Sequence, residues 1–427
     1  MSHLRKAFYL QKLMKQQWQK PEELEAIQVK MLRGMLKHAY ANVPLYHDKF
    51  RSVGIYPDDI KCVEDLQKLP LTTKKEVQEN FPHRILSPGT DLSKCWISQT
   101  SGSTGIPSKM VYGTRDEDYQ KAVALRPNLS CGQKIRDRWV IFTSPSHIVE
   151  KKWFQKLRIF APEFVSLFDK PDDQIQALKR INPDVIDGYA SSIYLVAKRL
   201  QETGNDGINP RLIYSTSELL TQDMRSCIET AFGVDVLDQF GCVELGRTAW
   251  ECHEHGGYHI DCDAVVMEFL QEGSAVVPGE RGEIVYTGLY NYTMPLIRYA
   301  VGDVGVPSDE ICPCGRGLPL MKLIEGRSDA FMKAPNGRIF SPIIWTVLMR
   351  EIPGIGQFKV IQEKIDLLKV LVIKGPDFSE ATIPQIQRDI KAAMGEEMVV
   401  DVDIVEEIPR EPSGKVRCAV SKVAVKV

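Results

Sequence analysis

The sequence predicts an α/β fold in two parts: a large N-terminal domain of parallel and mixed sheets flanked by helices with a β-rich subdomain, and a small C-terminal α+β domain. Three observations carry this. Between Arg138 and Asp238 short apolar runs alternate with amphipathic helical patterns, which argues for a mostly parallel sheet. Beyond Gly273 the texture becomes turn-rich and β-like, which argues for mixed or antiparallel sheet. From about Asp329 a hairpin, a helix and a strand close the chain. A length of 427 residues exceeds the roughly 250–300 at which single cores stop growing, so we expect a large domain over 1–328 and a small one over 329–427.

The elements follow in order. Met1–Lys20 mixes five cations with apolar residues and lacks the unbroken apolar core of a secretory signal, so it reads as a surface helix. Lys20–Arg51 has helical spacing through Ile27, Met31, Met35 and Ala39, ending near Asn42, Val43 and Pro44. Trp139–Phe142 is a strand, and Val185–Asp187 is a strand leading into a helix over Ser192–Leu200. A further unit runs from a strand at Arg211–Tyr214 through a polar loop at Ser215–Thr221 and a helix at Gln222–Phe232 to a strand at Val234–Asp238. Gly279 to Gly282 form a turn before the strand Glu283–Thr287. The last part pairs Phe358–Gln362 with Leu367–Ile373, then adds a helix at Ile383–Ala393 and a strand at Val399–Val405. In such folds ligands bind outside the carboxyl ends of the parallel strands, so the loops there are the place to look.

Composition narrows the function classes. With 43% hydrophobic and 26% charged residues the chain is of ordinary globular make-up, neither disordered nor membranous. A net charge of -2 gives no field toward nucleic acid or an anionic membrane. No apolar run approaches the roughly 20 residues that cross a bilayer, so no membrane span is expected and a cytoplasmic enzyme is. Ten cysteines in a chain this size are not a disulfide scaffold. They cluster at Cys252-His253-Glu254-His255 through His259 and Cys262, and at Cys312-Pro313-Cys314-Gly315, spacings suited to a closed tetrahedral Zn2+ site.

Thr100 to Pro107 is a run of hydroxyl and glycine residues in which Ser101, Gly102, Ser103, Thr104 and Gly105 could wrap amides and hydroxyls around phosphate oxygens. It lacks the Gly-Lys-Ser/Thr ending of the nucleoside-triphosphatase loop, which sets aside kinases and ordinary ATPases. Four segments follow it in fixed order: Asp238-Gln239-Phe240-Gly241-Cys242-Val243-Glu244, Ile297-Arg298-Tyr299-Ala300-Val301-Gly302-Asp303, Gly326-Arg327-Ser328-Asp329 and Pro412-Ser413-Gly414-Lys415-Val416-Arg417. With these five segments, and from about Met31 to the C-terminus, the sequence resembles the adenylate-forming superfamily of acyl-CoA synthetases, and within it the phenylacetate-CoA ligase-like and capsular-biosynthesis-type relatives.

The resemblance implies ATP-dependent activation of a carboxylic acid as acyl-AMP, then thioesterification, with coenzyme A or another thiol as acceptor. Ser101, Ser103 and Thr104 look like the hydroxyls on the β- and γ-phosphates of ATP, and Glu244 like the acid that helps hold Mg2+. Asp303 resembles the carboxylate on the ribose hydroxyls, and Arg327 the guanidinium that contacts AMP from the interdomain side. Ser217, Glu218 and the loop Asp238 to Gly241, with Phe240, resemble the segments around adenine. Lys415 resembles the catalytic lysine that contacts the carboxylate and α-phosphate. Asp329 matches the hinge about which the small, mobile domain rotates between half-reactions; Ala330, where a second acid often follows, and the Lys333–Gly337 loop depart from the commonest form. Relatives carry a Cys, His and Cys-x-Cys-Gly-Arg pattern, which singles out Cys252, His259, Cys312 and Cys314 for zinc, with His255 and Cys262 as alternates. Tyr189, Ala190, Ser191, Ser192, His147 and Trp153 lie near where the family binds the acid. The other readings are a carrier-protein or amine acceptor, adenylylation of a deazaflavin, and a nucleotide-binding homologue without turnover. A homodimer is a further expectation.

Overall fold

The computed structural model describes residues 2–99, 108–145, 151–205, 207–323, 332–340, 342–408 and 418–423. They gather into two compact units: one is formed by the chain up to Gly132 and again from Gln239, the other by Gln133–Asp238 and the C-terminal residues.

In the first unit the helices α1 (Ser2–Gln16), α2 (Pro21–Asn42) and α3 (Pro44–Ser52) open the chain. Helix α2 ends at Asn42, where the sequence spacing placed the break: Val43 is extended (φ -117, ψ 108) because the ring of Pro44 disfavours the helical region for its predecessor. Pro44 then opens α3, where its missing N–H costs nothing. A short α4 (Lys74–Asn80) is capped by Thr73, whose hydroxyl accepts from the Glu76 amide. The antiparallel hairpin of β1 (Trp96–Gln99) and β2 (Lys109–Tyr112) brackets in sequence the hydroxyl run, which lies outside the described residues. Next, α5 (Thr114–Ser130) buries Asp118, and α1 is pinned to it by Arg5 and Lys6 at 2.5 and 3.3 Å.

The second unit carries the alternation read from sequence: β3 (Trp139–Thr143), a turn of helix α6 (Trp153–Lys156), β4 (Pro162–Ser166), α7 (Pro171–Ile181), β5 (Val185–Tyr189), α8 (Ala190–Thr203), β6 (Leu212–Thr216) and α9 (Gln222–Phe232). Its strand order is β6-β5-β3-β4, all parallel, and β7 (Val236–Cys242) follows beside β6. Val140, Phe142, Ile186, Ile193, Ile213 and Val236 fill the core of this unit.

One expectation is corrected here. Asp238 to Gly241 is not a loop: β7 runs on to Cys242, because Gln239 to Cys242 pair antiparallel with β8 (Gly246–Glu251). The chain passes within this strand from the second unit back into the first. There β9 (Tyr258–Ile260), β10 (Val265–Gln271), β11 (Ser274–Ala275), β12 (Gly282–Gly288), β13 (Tyr299–Ser308) and β14 (Leu320–Leu323) form an antiparallel series in the order β11-β10-β12-β13-β14-β9-β8. The antiparallel region therefore begins more than thirty residues before Gly273.

Under this sheet lies a buried charge cluster. The Arg126 guanidinium of α5 donates to Asp263 at 2.7 and 2.8 Å and to Asp261 at 2.5 Å, and all three side chains are inaccessible to solvent. Trp250 Nε1 also donates to Asp261, at 2.9 Å. Removing one partner of a buried pair strands the others, at a cost of about 3–5 kcal/mol. Arg126→Met is expected to lose about that much stability, read as a lower urea midpoint at unchanged slope.

The C-terminal residues build their own core around Trp345, Phe358, Val370 and Ile390. They comprise β15 (Met332–Lys333), β16 (Ile339–Phe340), α10 (Pro342–Glu351), β17 (Ile355–Lys364), β18 (Leu367–Lys374), α11 (Thr382–Met394), β19 (Val399–Ile404) and β20 (Ala419–Ser421). The sheet order is β19-β18-β17-β20, an antiparallel hairpin with a parallel strand on each side. Among the described residues no helix is long and apolar enough to cross a membrane.

Candidate active site and metal centre

The turn between β7 and β8 presents Glu244, and its placement follows from glycine. A Cβ on Gly241 would lie 2.2 Å from the Gly246 carbonyl oxygen, so only glycine lets the strands close this tightly, and Gly246 itself has φ +74. Three tyrosines hold the turn. Tyr112, the last residue of β2, donates to the Glu244 carbonyl at 2.6 Å, and Tyr290 donates to the Leu245 carbonyl at 2.8 Å. Tyr299, the first residue of β13, donates to Glu244 Oε1 at 2.9 Å. Glu244 Oε2 has no hydrogen-bond partner among the described residues.

Asp303 reaches the same place from β13. Two extra residues of β13 bulge out between its pairs with Glu283 and Val285, and Gly302 there has φ +81. Bulges of this kind re-aim side chains beside functional sites. Burial, then the Glu244 and Asp303 carboxylates, push the Cys242 thiol well up, and the same two carboxylates act on the Tyr286 phenol. Glu244 and Asp303 thus act on the same two buried side chains, Cys242 and Tyr286. The Glu244 carboxylate, with one oxygen uncommitted among the described residues, suits a hard cation such as Mg2+. Phe240 is half-buried and packs against the core of the first unit.

In the second unit Ser217 sits at φ +68, a left-handed conformation uncommon for a side-chain-bearing residue. Glu218 accepts from the Ser191 amide at 3.0 Å and from its hydroxyl, which places a carboxylate at the N-terminus of α8 where the helix dipole favours it. Asp238 is buried and accepts from the Ser215 hydroxyl. Tyr189, Ala190, Ser191 and Ser192 form the β5–α8 junction, and Trp153 is exposed. Ser101, Gly102, Ser103, Thr104, Gly105, His147, Arg327, Asp329 and Lys415 lie outside the described residues.

Of the clustered cysteines and histidines, Cys252, His259, Cys312 and Cys314 come together, with ligand atoms all within 4.8 Å of one another. The topology explains why. Strand β9 pairs on one side with β8, setting His259 opposite Trp250, and on the other with β14, setting it opposite Leu320. Cys252 follows β8, while Cys312 and Cys314 occupy a turn closed by the Gly315 amide donating to the Cys312 carbonyl. Cys252 Sγ is 3.6 Å from Cys312 Sγ, and Cys314 Sγ is 3.4 Å from His259 Nε2. Tetrahedral Zn2+ requires ligand edges of about 3.5–3.8 Å, given its bond lengths near 2.3 Å to sulfur and 2.0 Å to nitrogen.

The surroundings set two of the four groups for a cation, while burial pushes the Cys252 thiol up to about 12 and the Cys312 thiol up as well. Burial and the Arg316 charge hold the His259 pKa down to about 4, so the imidazole is neutral and can donate a lone pair. Burial raises the Cys314 thiol, but the Arg316 amide and guanidinium outweigh it and bring the pKa below its usual value. Arg316 lies 4.4 Å from the centre of the Trp18 ring and 5.2 Å from that of Trp250, and donates to Gln17 Oε1 and the Ser130 carbonyl at 3.1 Å each. Three thiolates and one divalent cation would carry one net negative charge, which this guanidinium balances. The alternates lie elsewhere: His255 Nδ1 is 3.8 Å from Glu251, and Cys262 is buried where Asp263 and Arg126 act on it. The sequence reading assigned no role to Arg316, Tyr112 or Tyr299; a Cys-x-Cys-Gly-Arg run was the one available signal for Arg316.

The fold is that of the adenylate-forming ligases. It resembles the crystal structure of 2-hydroxyisobutyryl-CoA ligase in complex with 2-HIB-AMP and CoA, with a TM-score of 0.64 at 18% identity, covering 94% of this chain and 90% of that one. The family model described as the CapK C-terminal domain matches residues 332–422. In sequence the chain is 30% identical to the phenylacetate-coenzyme A ligase of Escherichia coli over 337 residues, 75% of this chain and 74% of the relative. It is 27% identical to that of Aromatoleum evansii over 428 residues, 94% of this chain and 95% of the relative. The chain belongs to the phenylacetate-CoA ligase family.

Proposed function

We propose that this protein is an AMP-forming acid–thiol ligase: it activates an aryl or similar carboxylic acid with ATP and transfers the acyl group to coenzyme A. The observation that carries the reading is that Glu244 and Asp303 act on the same two buried side chains, Cys242 and Tyr286, in a chain of this family. The substrate carboxylate attacks the α-phosphorus of ATP and pyrophosphate leaves; the thiol of coenzyme A then attacks the acyl carbon of the mixed anhydride and AMP leaves. Asp303 takes the ribose hydroxyls, as a carboxylate able to accept two hydrogen bonds. Ser217, Glu218, Asp238, Phe240 and Gly241 surround adenine; the bonds of Glu218 to Ser191 and of Asp238 to Ser215 hold two of these in place. Ser101, Gly102, Ser103, Thr104 and Gly105 cradle the β- and γ-phosphates, Arg327 contacts AMP, and Lys415 stabilises the charge that builds at the α-phosphorus.

Glu244 is the residue that would hold Mg2+, which when bound neutralises phosphate charge. Cys252, His259, Cys312 and Cys314 would hold a structural Zn2+, four protein donors leaving no open position for catalysis. The boundary at Asp329, with a large domain over 1–328 and a small one over 329–427 that rotates between half-reactions, belongs to the same reading. It is supported by the separate core of the C-terminal residues and the family match at 332–422. A cytoplasmic setting is supported by ten cysteines, none in a disulfide; a homodimer is open to size-exclusion measurement.

The test is acid-dependent exchange of labelled pyrophosphate into ATP across aryl, fatty and amino acids, then product analysis with and without coenzyme A. Exchange with one acid class and a thioester only when coenzyme A is added is the expected result. Absence of exchange with every acid, in protein that binds ATP, would remove carboxylate activation from consideration. Exchange followed by no thioester would move the acceptor to a carrier thiol or an amine.

A further inference from the structure

We propose that Tyr299 is a positioning residue for divalent cation binding: its phenol holds one oxygen of Glu244 and so leaves the other for the cation. This rests on the reading of Glu244 as the Mg2+ ligand. The three tyrosines on the Glu244 turn do different things. Tyr112 and Tyr290 donate to backbone carbonyls, at Glu244 and Leu245, and fix the path of the chain. Tyr119 likewise donates to a backbone carbonyl, that of Asp263. Tyr299 instead donates at 2.9 Å to the carboxylate itself. That bond is charge-assisted and directional, and it removes the rotational freedom of a side chain whose Oε2 has no other partner among the described residues.

The donor is itself held on all sides. The Thr72 amide donates to the Arg298 carbonyl at 2.7 Å and the Ala300 amide to the Thr72 carbonyl at 3.0 Å, which brackets Tyr299. Thr72 Oγ1 donates to the Ile297 carbonyl at 2.7 Å, and the Ile297 amide donates to the Tyr46 phenol oxygen at 3.0 Å. Arg298 has φ +47, and its buried guanidinium pairs with Glu268 at 3.0 and 3.1 Å and reaches the Leu69 carbonyl. A rigid donor on a ligand carboxylate is the arrangement by which outer groups set cation affinity, with effects of about 10- to 100-fold when removed.

The experiment compares wild type, Tyr299→Phe, Glu244→Gln and the double variant. ATP affinity is measured by calorimetry across a Mg2+ series and in EDTA, with pyrophosphate exchange across the same series. Phenylalanine keeps the ring packing, and ATP binding in EDTA together with the unfolding midpoint reports that the variant is folded. In Tyr299→Phe the Mg2+ midpoint is expected to rise about 10- to 100-fold, with ATP binding in EDTA and the KM for the acid unchanged and exchange restored at saturating Mg2+. In the double variant the midpoint is expected to match Glu244→Gln alone, since Tyr299 acts through that carboxylate. A wild-type midpoint in Tyr299→Phe beside a shifted one in Glu244→Gln overturns the role of Tyr299. An unshifted midpoint in Glu244→Gln overturns the assignment of Glu244, and the role of Tyr299 with it.

Discussion

Lys415→Ala is expected to cut acid-dependent pyrophosphate exchange by about 10²- to 10³-fold, the range found when one preorganised group that meets transition-state charge is removed. The adenylation step spreads charge over an α-phosphorus that bonds both the entering carboxylate and the leaving pyrophosphate, and a fixed ammonium at that point acts on the transition state more than on bound ATP. The prediction is asymmetric. If the small domain withdraws Lys415 before the thiol arrives, then thioester formation from a synthetic acyl adenylate and coenzyme A should stay within a few-fold of wild type. Single-turnover assays of the two half-reactions separate these. Equal losses in both would mean that Lys415 serves a fold or a shared binding step, and no loss in exchange would remove it from the mechanism.

The parts of this molecule that the sequence discloses are those whose causes are local. Helix α9 was read with the bounds it has, Gln222–Phe232, because Thr221 caps its start and Gly233 ends it in a left-handed turn at φ +70. The parallel strands β3, β5 and β6 were likewise legible from their apolar runs, whereas the edge strand β4 (Pro162–Ser166) was not read. The continuation of β7 past Asp238 was not, because it depends on pairing Gln239 to Cys242 with β8, residues that become a strand only when the hairpin closes. Nor was the division into units, since the chain leaves the first at Gly132 and re-enters it at Gln239.

At the site the same distinction holds. Glu244 and Asp303 were found as members of short motifs 59 residues apart, but what fixes them was invisible: Tyr299 is in a quoted motif, yet nothing in its spacing says that its phenol meets Glu244. Arg126 gave no sign of its two carboxylate partners, which lie 135 and 137 residues away. The gathering of Cys252, His259, Cys312 and Cys314 was reached from the resemblance rather than from spacing, because His255 and Cys262 fit the spacing as well. The structure separates them through the register of β9, which turns His259 toward Cys314.

That cluster carries the second large effect. Freshly isolated protein is expected to contain about one equivalent of zinc, read by plasma mass spectrometry, and Cys312→Ser to contain almost none. Structural Zn2+ in finger peptides contributes about 10–16 kcal/mol of folding free energy at neutral pH, and a unit of this size loses about 2–4 °C of melting temperature per kcal/mol. A strong chelator should therefore lower the melting temperature by about 20 °C or more, and Cys312→Ser should match the chelated wild type and no longer respond to chelator. The loss has a defined route. Without the cation the thiols are crowded beside a guanidinium that has lost its counter-charge, and Arg316, together with the Gly317 amide that donates to the Gln17 carbonyl at 3.1 Å, links this turn to Gln17, Trp18 and the Ser130 carbonyl. The α1–α2 joint should then become the first site of proteolytic cleavage, near Trp18 to Lys20, while the core around Trp345 stays protected. Cys227→Ser, which alters a thiol on α9 beside Gln201, serves as the control and should keep both zinc and melting temperature. Protein that holds no zinc as isolated, gains none on reconstitution and melts unchanged with chelator would show that burial alone gathers the four residues.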